Sequence, residues 1–163
     1  MSAKKFCLDA NALITPWNQL YPPSVFGSLW EKIASKKEQI VIIKPIFDEI
    51  DPPTEKTLKK DKNPLRYWLI ENGFAPTKFD LEDKSIQLEK KYEVQEISEG
   101  VGPVDIKIIC YAKENRYTVV TFEGKQKQKP GKITNYKIPL VCHEEGVKCI
   151  DFIAFLQELE ITL

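Results

Sequence analysis

Short apolar runs alternate along this chain with segments of helical periodicity, and this alternation restricts the folds that it can adopt. Between the runs lie segments whose apolar residues recur every three or four positions, as they do in helices with one buried face. Strands that alternate with helices favour an α/β fold with a mainly parallel sheet covered by helices. The predicted strands are residues 6–8, 40–43, 117–121, 138–142 and 147–150.

Proline and capping residues set the bounds of the predicted helices. Pro139 predicts that residues 138–142 form an edge strand, and Asp151 is predicted to cap the last helix. The proline-rich residues 15–23 are predicted to form a loop or a short broken helix. The predicted helices are residues 24–35, capped by Ser24, a short segment after Pro45, residues 54–72 with a break at Pro64, and residues 79–94, 104–116 and 151–159.

Length and charge limit the class of protein. The 163 residues predict a single domain, residues 1–163, that is large enough to bury a hydrophobic core. The 24 basic and 24 acidic residues leave a formal net charge of zero, so any footprint for nucleic acid must be local. No apolar run approaches the roughly 20 residues of a membrane span. Because residues 1–5 leave no room for a signal peptide, we expect a cytoplasmic protein without membrane association.

The cysteines and the histidine do not form a familiar catalytic or zinc-binding pattern. Without an export signal, the four cysteines are expected to be free thiols. Cys142-His143 followed by Cys149 lacks the paired CxxC spacing of a structural zinc site. His143 is the only histidine, and it lies in a polar segment, residues 142–146, that is predicted to be a solvated turn. Catalysis by a Ser-His-Asp or Cys-His triad would need this histidine, and is therefore not favoured.

Four acids follow the predicted elements in places where a ligand site forms in open α/β sheets. Asp9 follows the first strand, Glu49 lies in the short helix after the second, Asp105 opens the 104–116 helix, and Glu123 lies two residues beyond Thr121. Ligands of such sheets bind at the carboxyl ends of the strands. Singly, each acid has a structural explanation, since acids cap helices, interact with helix dipoles and occupy solvated turns.

Together, these acids predict a metal site. Converging carboxylates repel one another, and a divalent cation usually neutralises such a cluster. A set of oxygen ligands favours Mg²⁺ or Mn²⁺, and such an ion can polarise a phosphodiester and activate water. Glu49 is the least certain of the four, because Asp48 and Asp51 lie beside it.

The spacing of these residues resembles that of the PIN domain, a three-layer α/β/α fold used by Mg²⁺-dependent ribonucleases, including the toxins of VapBC-type toxin–antitoxin systems. The resemblance extends from Lys5 to about Leu159, and its first and last motifs are the most specific. The motifs are Asp9-x-Asn11-x-Leu13-Ile14, Pro45 with Glu49-Ile50, Val104-Asp105 with Ala112, and Val119-Val120-Thr121-x-Glu123.

The resemblance implies a role for each acid. Asp9, Glu49 and Asp105 would bind the metal, and Glu123 would be a fourth, more variable acid; many PIN domains have Asp there, which puts direct ligation by Glu123 in question. Thr121 would hold a metal-bound water or a neighbouring acid. Asn11 would orient Asp9 or contact the scissile phosphate. RNA would be hydrolysed by water without a covalent protein intermediate, and an antitoxin partner and a homodimer are implied.

Two basic tracts are candidates for contact with RNA. The first follows Glu123 and contains Lys125, Lys127, Lys129 and Lys132; phosphate binding and an ordinary solvated face explain it equally well. For the second tract, from Lys56 to Arg66, a solvated face is the better explanation. Trp17 or Tyr21 would suit stacking on an unpaired base, but core packing is the preferred interpretation of both.

The leading hypothesis, which rests on this resemblance, is an endoribonuclease of the toxin type that depends on Mg²⁺ or Mn²⁺. A second hypothesis is an inactive PIN-like module that binds RNA or protein. A third, weaker hypothesis is a hydrolase of small phosphate esters.

Overall fold

The computed structural model describes residues 4–53 and 58–163, and within them the chain forms an α/β fold with four parallel strands. The sheet order is β2-β1-β3-β4, and Phe6 of β1 pairs with Ile40 of β2 and Thr118 of β3. The prediction of a mainly parallel sheet in an α/β fold is confirmed, and the arrangement is consistent with three α/β/α layers. The strands are β1 (Phe6–Leu8), β2 (Ile40–Val41), β3 (Thr118–Val120) and β4 (Cys149–Ile150).

Eight α-helices connect and cover these strands in the described residues. Short helical turns of other types occur at Pro16–Leu20, Lys37–Gln39 and Ile133–Asn135. The first of these is π-helical and continues α1 directly to Leu20, so the proline-rich residues 15–23 contain a helical turn that ends before Pro22, and not an open loop. The helices are α1 (Asn11–Thr15), α2 (Pro23–Ser35), α3 (Lys44–Phe47), α4 (Pro64–Glu71), α5 (Glu82–Lys91), α6 (Pro103–Asn115), α7 (Ile138–Glu145) and α8 (Phe152–Glu158).

The sheet and an aromatic cluster form the core. Every residue of β1 is fully buried, as expected for a parallel strand covered on both faces. The ring of Trp17 lies 5.0 Å from that of Trp30 and 5.6 Å from that of Trp68, so this cluster joins the π-helical turn to α2 and α4. Tyr21 stacks on Phe152 of α8, with the ring centroids 5.9 Å apart. The preferred interpretation of Trp17 and Tyr21 as core residues is confirmed.

The prediction of a strand at residues 138–142 is wrong, because these residues begin α7. Pro139 lies in the first turn of that helix, where the missing N–H costs no hydrogen bond. Ile138, Val141, Cys142 and Glu145 are its buried residues, and their spacing matches one face of a helix. His143 is exposed but lies in α7, so the prediction of a turn there is also wrong.

The predicted helix at residues 54–72 is wrong in its first half. Residues 54–57, which include Lys56, lie outside the described residues, and residues 58–63 are not helical. The Asn63 side chain donates a hydrogen bond to the Asp51 carbonyl at 3.1 Å, and Asp51 Oδ2 accepts one from the Leu65 amide at 2.9 Å. These contacts hold the chain at the start of α4. Helix α2 begins at Pro23 with Pro22 as its N-cap, so Ser24 is not the cap.

The remaining predicted helices and strands are present, most of them with shorter bounds. Helix α6 matches its predicted range closely, whereas α5 covers only the middle of residues 79–94. Asp151 caps α8, and its Oδ1 accepts a hydrogen bond from the Ala154 amide at 2.8 Å. The four cysteines are free thiols. In residues 4–53 and 58–163, no helix combines the length and apolar character that a membrane span requires.

Candidate metal centre

Asp9 and Thr121 lie side by side at the carboxyl edge of the sheet. Asp9 directly follows β1 and Thr121 directly follows β3, and these adjacent strands pair Leu8 with Val120. The Asp9 amide donates a hydrogen bond to the Val120 carbonyl at 3.0 Å. Thr121 Oγ1 donates a long hydrogen bond to Asp9 Oδ2 at 3.4 Å, and the Ala10 amide donates to Asp9 Oδ1 at 2.9 Å. The Asp9 side chain is therefore buried and oriented from both sides.

Asn11 does not orient Asp9 in this structure. It is the exposed first residue of α1, and its side chain forms no hydrogen bond with the described part of the chain. The orientation of Asp9 is supplied by Ala10 and Thr121 instead.

Asp105 is held by the first turn of α6. Its Oδ2 accepts a hydrogen bond from the Gly102 amide at 2.9 Å, so this residue caps the helix as well as facing the other acids. The preceding loop is fixed by close backbone contact, because a Cβ at Gly100 would lie 2.3 Å from the Thr134 carbonyl oxygen. The Val101 amide also donates to the Tyr136 carbonyl at 2.9 Å. The position of Asp105 thus depends on a glycine that the sequence analysis did not single out.

The longer side chain of Glu123 reaches the start of α7. The Glu123 amide donates a hydrogen bond to Thr121 Oγ1 at 3.2 Å, and its Oε2 accepts one from the Ile138 amide at 2.9 Å. This carboxylate therefore satisfies one of the unpaired amides at a helix N-terminus, where negative charge is also favoured. One of its two oxygens is engaged by the protein itself.

The neighbours of Glu49 are engaged elsewhere. Asp48 forms an ion pair with Lys44 at 2.8 Å on the exposed surface of α3, and Asp51 holds the start of α4. Glu49 is exposed, and its carboxylate accepts no hydrogen bond from the residues that the structure describes. Glu49 interacts electrostatically with Asp105, which helps raise its pKa.

The four carboxylates share one electrostatic environment. Burial, followed by repulsion from Asp105 and Glu123, raises the pKa of Asp9 from 3.8 to about 7. Burial and repulsion from Glu123 raise the pKa of Asp105 to about 6, although the hydrogen bond from Gly102 lowers it. Burial and repulsion from Asp105 raise the pKa of Glu49. The acids, which come from four separate segments, are therefore near enough to influence one another electrostatically.

The donor chemistry of this acid cluster, formed by Asp9, Glu49, Asp105 and Glu123, suits a hard divalent cation. All its donors are carboxylate oxygens, which Mg²⁺ and Mn²⁺ prefer, and a cation would remove the repulsion that raises the pKa values. In the described ranges, however, no three His, Cys, Asp or Glu side chains are close enough to enclose a metal ion as they stand. The bond from the Ile138 amide holds Glu123 toward α7.

The basic tract after Glu123 lies beside the acid cluster only in part. Lys125 lines two cavities of about 280 and 310 Å³, the first of which also contains Thr121 and Glu123. Lys129 forms an ion pair with Glu144 at 3.2 Å. Lys127 and Lys132 are exposed and have no ion-pair partner within the described residues. Of the four lysines, Lys125 is therefore the one placed next to the carboxylates.

Gln126 fixes the loop that carries these lysines, and the sequence analysis missed it. Its Nε2 donates a hydrogen bond to the Asn135 carbonyl at 3.0 Å, and its Oε1 accepts one from the Lys137 amide at 3.0 Å. Both contacts are to backbone groups of a distant part of the loop, so no sequence motif marks this residue.

Comparison with known families places the chain in one of them. A family described as a domain of unknown function, DUF4411, matches residues 6–163, which is nearly the whole chain. The chain belongs to the DUF4411 family. Comparison with curated proteins found no match. The function of this DUF4411 chain must therefore be inferred from its own residues.

The pKa of Asp9 predicts that the metal-free DUF4411 chain loses stability as the pH rises. The pKa of Asp9 in the folded state, about 7, is above its ordinary value of 3.8. The contribution of this acid to the free energy of unfolding is therefore fully present below pH 3.8 and is lost as the pH rises through about 7. The loss is of the order of a few kcal/mol. Thermal unfolding in EDTA at about pH 5 and about pH 8 measures it, and Mn²⁺ should restore stability at the higher pH.

Asp9→Asn should remove much of this pH dependence, whereas Asp80→Asn, which changes an exposed acid, should retain it. If the thermal stability of the Asp9→Asn protein in EDTA changes with pH as much as that of the parent, repulsion within the acid cluster does not cause the pH dependence.

Proposed function

We propose that this protein is a PIN-like endoribonuclease that depends on Mg²⁺ or Mn²⁺, and that it is the toxin of a toxin–antitoxin pair. The observation that carries the proposal is the buried Asp9 at the carboxyl end of β1, hydrogen-bonded to Thr121 at the end of the adjacent β3. Asp105, Glu123 and Glu49 are near enough to help raise its pKa. The carboxyl edge is where α/β sheets bind their ligands. The toxin role and the antitoxin partner rest on the sequence resemblance alone.

Each residue has a defined part in the proposal. Asp9, Asp105 and Glu49 would hold the cation, with Glu123 adding negative charge from the start of α7. When bound, the cation would supply Lewis acidity and positive charge for a phosphodiester. Thr121 keeps Asp9 in place through its hydroxyl, and Lys125, which lines the adjoining cavities, is placed to attract the RNA backbone.

Incubation of the full chain with single-stranded and structured RNA tests the proposal. We expect fragments in Mg²⁺ or Mn²⁺, no cleavage in EDTA, and recovery when metal is added back. Sequencing of the fragment ends would identify the cleavage position. Intact RNA beside a hydrolysed phosphomonoester would instead support the third hypothesis, a small-ester hydrolase.

A second candidate, the inactive PIN-like module, is favoured by one specific observation. An oxygen of Glu123 is engaged by the Ile138 amide, so this carboxylate has one oxygen fewer for a cation. Calorimetry with Mn²⁺ separates the two candidates, because an active centre must bind the ion in a saturable way. Absence of saturable binding at millimolar Mn²⁺, with RNA binding retained, would favour the module.

A further inference from the structure

A cavity lined by basic residues lies at the opposite edge of the sheet from the acid cluster. Its volume is about 350 Å³, and no residue that lines it in the described part of the chain is acidic. We call it the basic cavity. Its cationic residues are Lys4, Lys5, Lys113, Arg116 and Lys148.

The parallel sheet itself brings these residues together. Lys5 directly precedes β1, and its carbonyl accepts a hydrogen bond from the Thr118 amide at 3.1 Å. Lys148 directly precedes β4, and its carbonyl accepts one from the Val119 amide at 2.9 Å. Since β3 pairs with both strands, the backbone ladder holds these two cations on either side of the start of β3.

Most of the positive charge in the basic cavity is not neutralised by the protein. Lys113 pairs with Glu145 at 2.9 Å and Lys148 with Glu158 at 2.5 Å. Lys4, Lys5 and Arg116 have no carboxylate partner in the described residues. Because the net charge of the whole chain is zero, this concentration of cations is local and does not reflect a basic composition.

Helix capping accounts for only part of the cavity. Lys113 and Arg116 are at the end of α6, where cations interact favourably with the helix dipole, but the other three cations lie at the starts of strands. Arg116 also has a left-handed backbone, with φ of 59°, at a position where glycine or asparagine is usual. The planar fork of its guanidinium matches phosphate oxygens.

We propose that the basic cavity binds a phosphate-rich anion, either the polyphosphate of a nucleotide or successive phosphates of an RNA strand. The cavity is concave and large enough for two or more phosphates. Thr118 of β3 also lines it. The site shares no residue with the acid cluster, so it is a second binding site and does not depend on the proposed nuclease activity.

Calorimetry with tripolyphosphate in EDTA tests the site on the full chain. We expect saturable binding to the parent that weakens as salt is added. Lys5→Gln combined with Arg116→Gln should weaken binding about tenfold or more, which corresponds to a loss of about 1.4 kcal/mol or more for the two cations together. The matched control is Lys78→Gln with Lys90→Gln, two exposed lysines outside the cavity, which should bind as the parent does. Circular dichroism establishes that each variant is folded.

Further arms identify the source of the phosphates and separate this site from the acid cluster. If ATP binds more tightly than a short RNA, the site is assigned to nucleotides, and if the RNA binds more tightly, it is assigned to RNA. Either result supports the proposal, provided that Lys5→Gln combined with Arg116→Gln weakens the binding of the preferred ligand. Asp9→Asn should bind tripolyphosphate normally, whatever its effect on RNA cleavage. The proposal is overturned if tripolyphosphate does not saturate, if the double variant binds equally well, or if only an acidic peptide binds.

Discussion

Asp9→Asn and Asp105→Asn will each reduce metal-dependent RNA cleavage by about 100-fold or more while leaving the fold intact. Loss even of a group that only supports a metal ligand costs about 10- to 100-fold, and these carboxylates would bind the cation directly. The fold should survive because the asparagine oxygen can still accept the hydrogen bonds from Ala10 and Gly102. Cleavage rates with saturating Mn²⁺ and thermal unfolding of each variant provide the measurement.

The segment around Glu49 offers a matched pair of variants. Glu49→Gln should impair cleavage, whereas Asp48→Asn should not, because Asp48 is paired with Lys44 on the surface. Equal cleavage by the parent and by folded Asp9→Asn protein contradicts the proposed mechanism. Equal losses in Asp48→Asn and Glu49→Gln contradict the assignment of Glu49.

Glu145→Ala will destabilise the protein by about 2–3 kcal/mol, toward the lower end of what breaking a buried ion pair costs. The Glu145 side chain is only 1% exposed and pairs with Lys91 at 2.6 Å and Lys113 at 2.9 Å. The hydroxyl of Tyr92, a buried residue, also donates to it. This carboxylate therefore joins α5, α6 and α7. Both lysines are about half exposed, so water can solvate them after the substitution. The loss of unfolding free energy is therefore smaller than for a fully buried ion pair. Chemical denaturation gives the free energy of unfolding.

Glu144→Ala is the control, since it removes an exposed ion pair with Lys129 and should cost less than about 1 kcal/mol.

Burial raises the pKa of Glu145, but the hydrogen bonds from Lys91, Tyr92 and Lys113 outweigh it and lower the pKa from 4.5 to about 2. Its contribution is therefore present above pH 4.5 and is lost as the pH falls through the folded value. The difference in unfolding free energy between the parent and Glu145→Gln should shrink over that range. A difference that is independent of pH would contradict this role for the charge.

Local periodicity predicted the elements best where one strong signal was present. Helix α6 and strand β3 were predicted closely, since each combines a clear apolar pattern with a defined start. Residues 138–142 were wrongly predicted because five apolar or proline-containing positions fit a short strand and the first turns of a helix equally well. The buried spacing that distinguishes the two, from Ile138 to Glu145, becomes evident only when the burial of the whole segment is known.

The order of the elements and the places of the acids were determined by the sequence alone. Asp9, Glu49, Asp105 and Glu123 were selected because each follows or begins an element. Which of them interact, and what else holds them, was decided by the tertiary structure: Glu123 reaches Ile138, Asp48 and Asp51 have other partners, and Thr121 rather than Asn11 contacts Asp9.

In the basic cavity, too, the sequence supplies the residues and only the tertiary structure brings them together. Its five cations are spread over three separate segments, and nothing in the sequence relates them to one another. They meet because parallel pairing brings the amino ends of β1, β3 and β4 to one edge, and the carboxyl ends, with Asp9 and Thr121, to the other. A sequence specifies which residues end each strand through local polarity and propensity. The contacts among those ends depend on strand order and register, which form only when distant segments pack together.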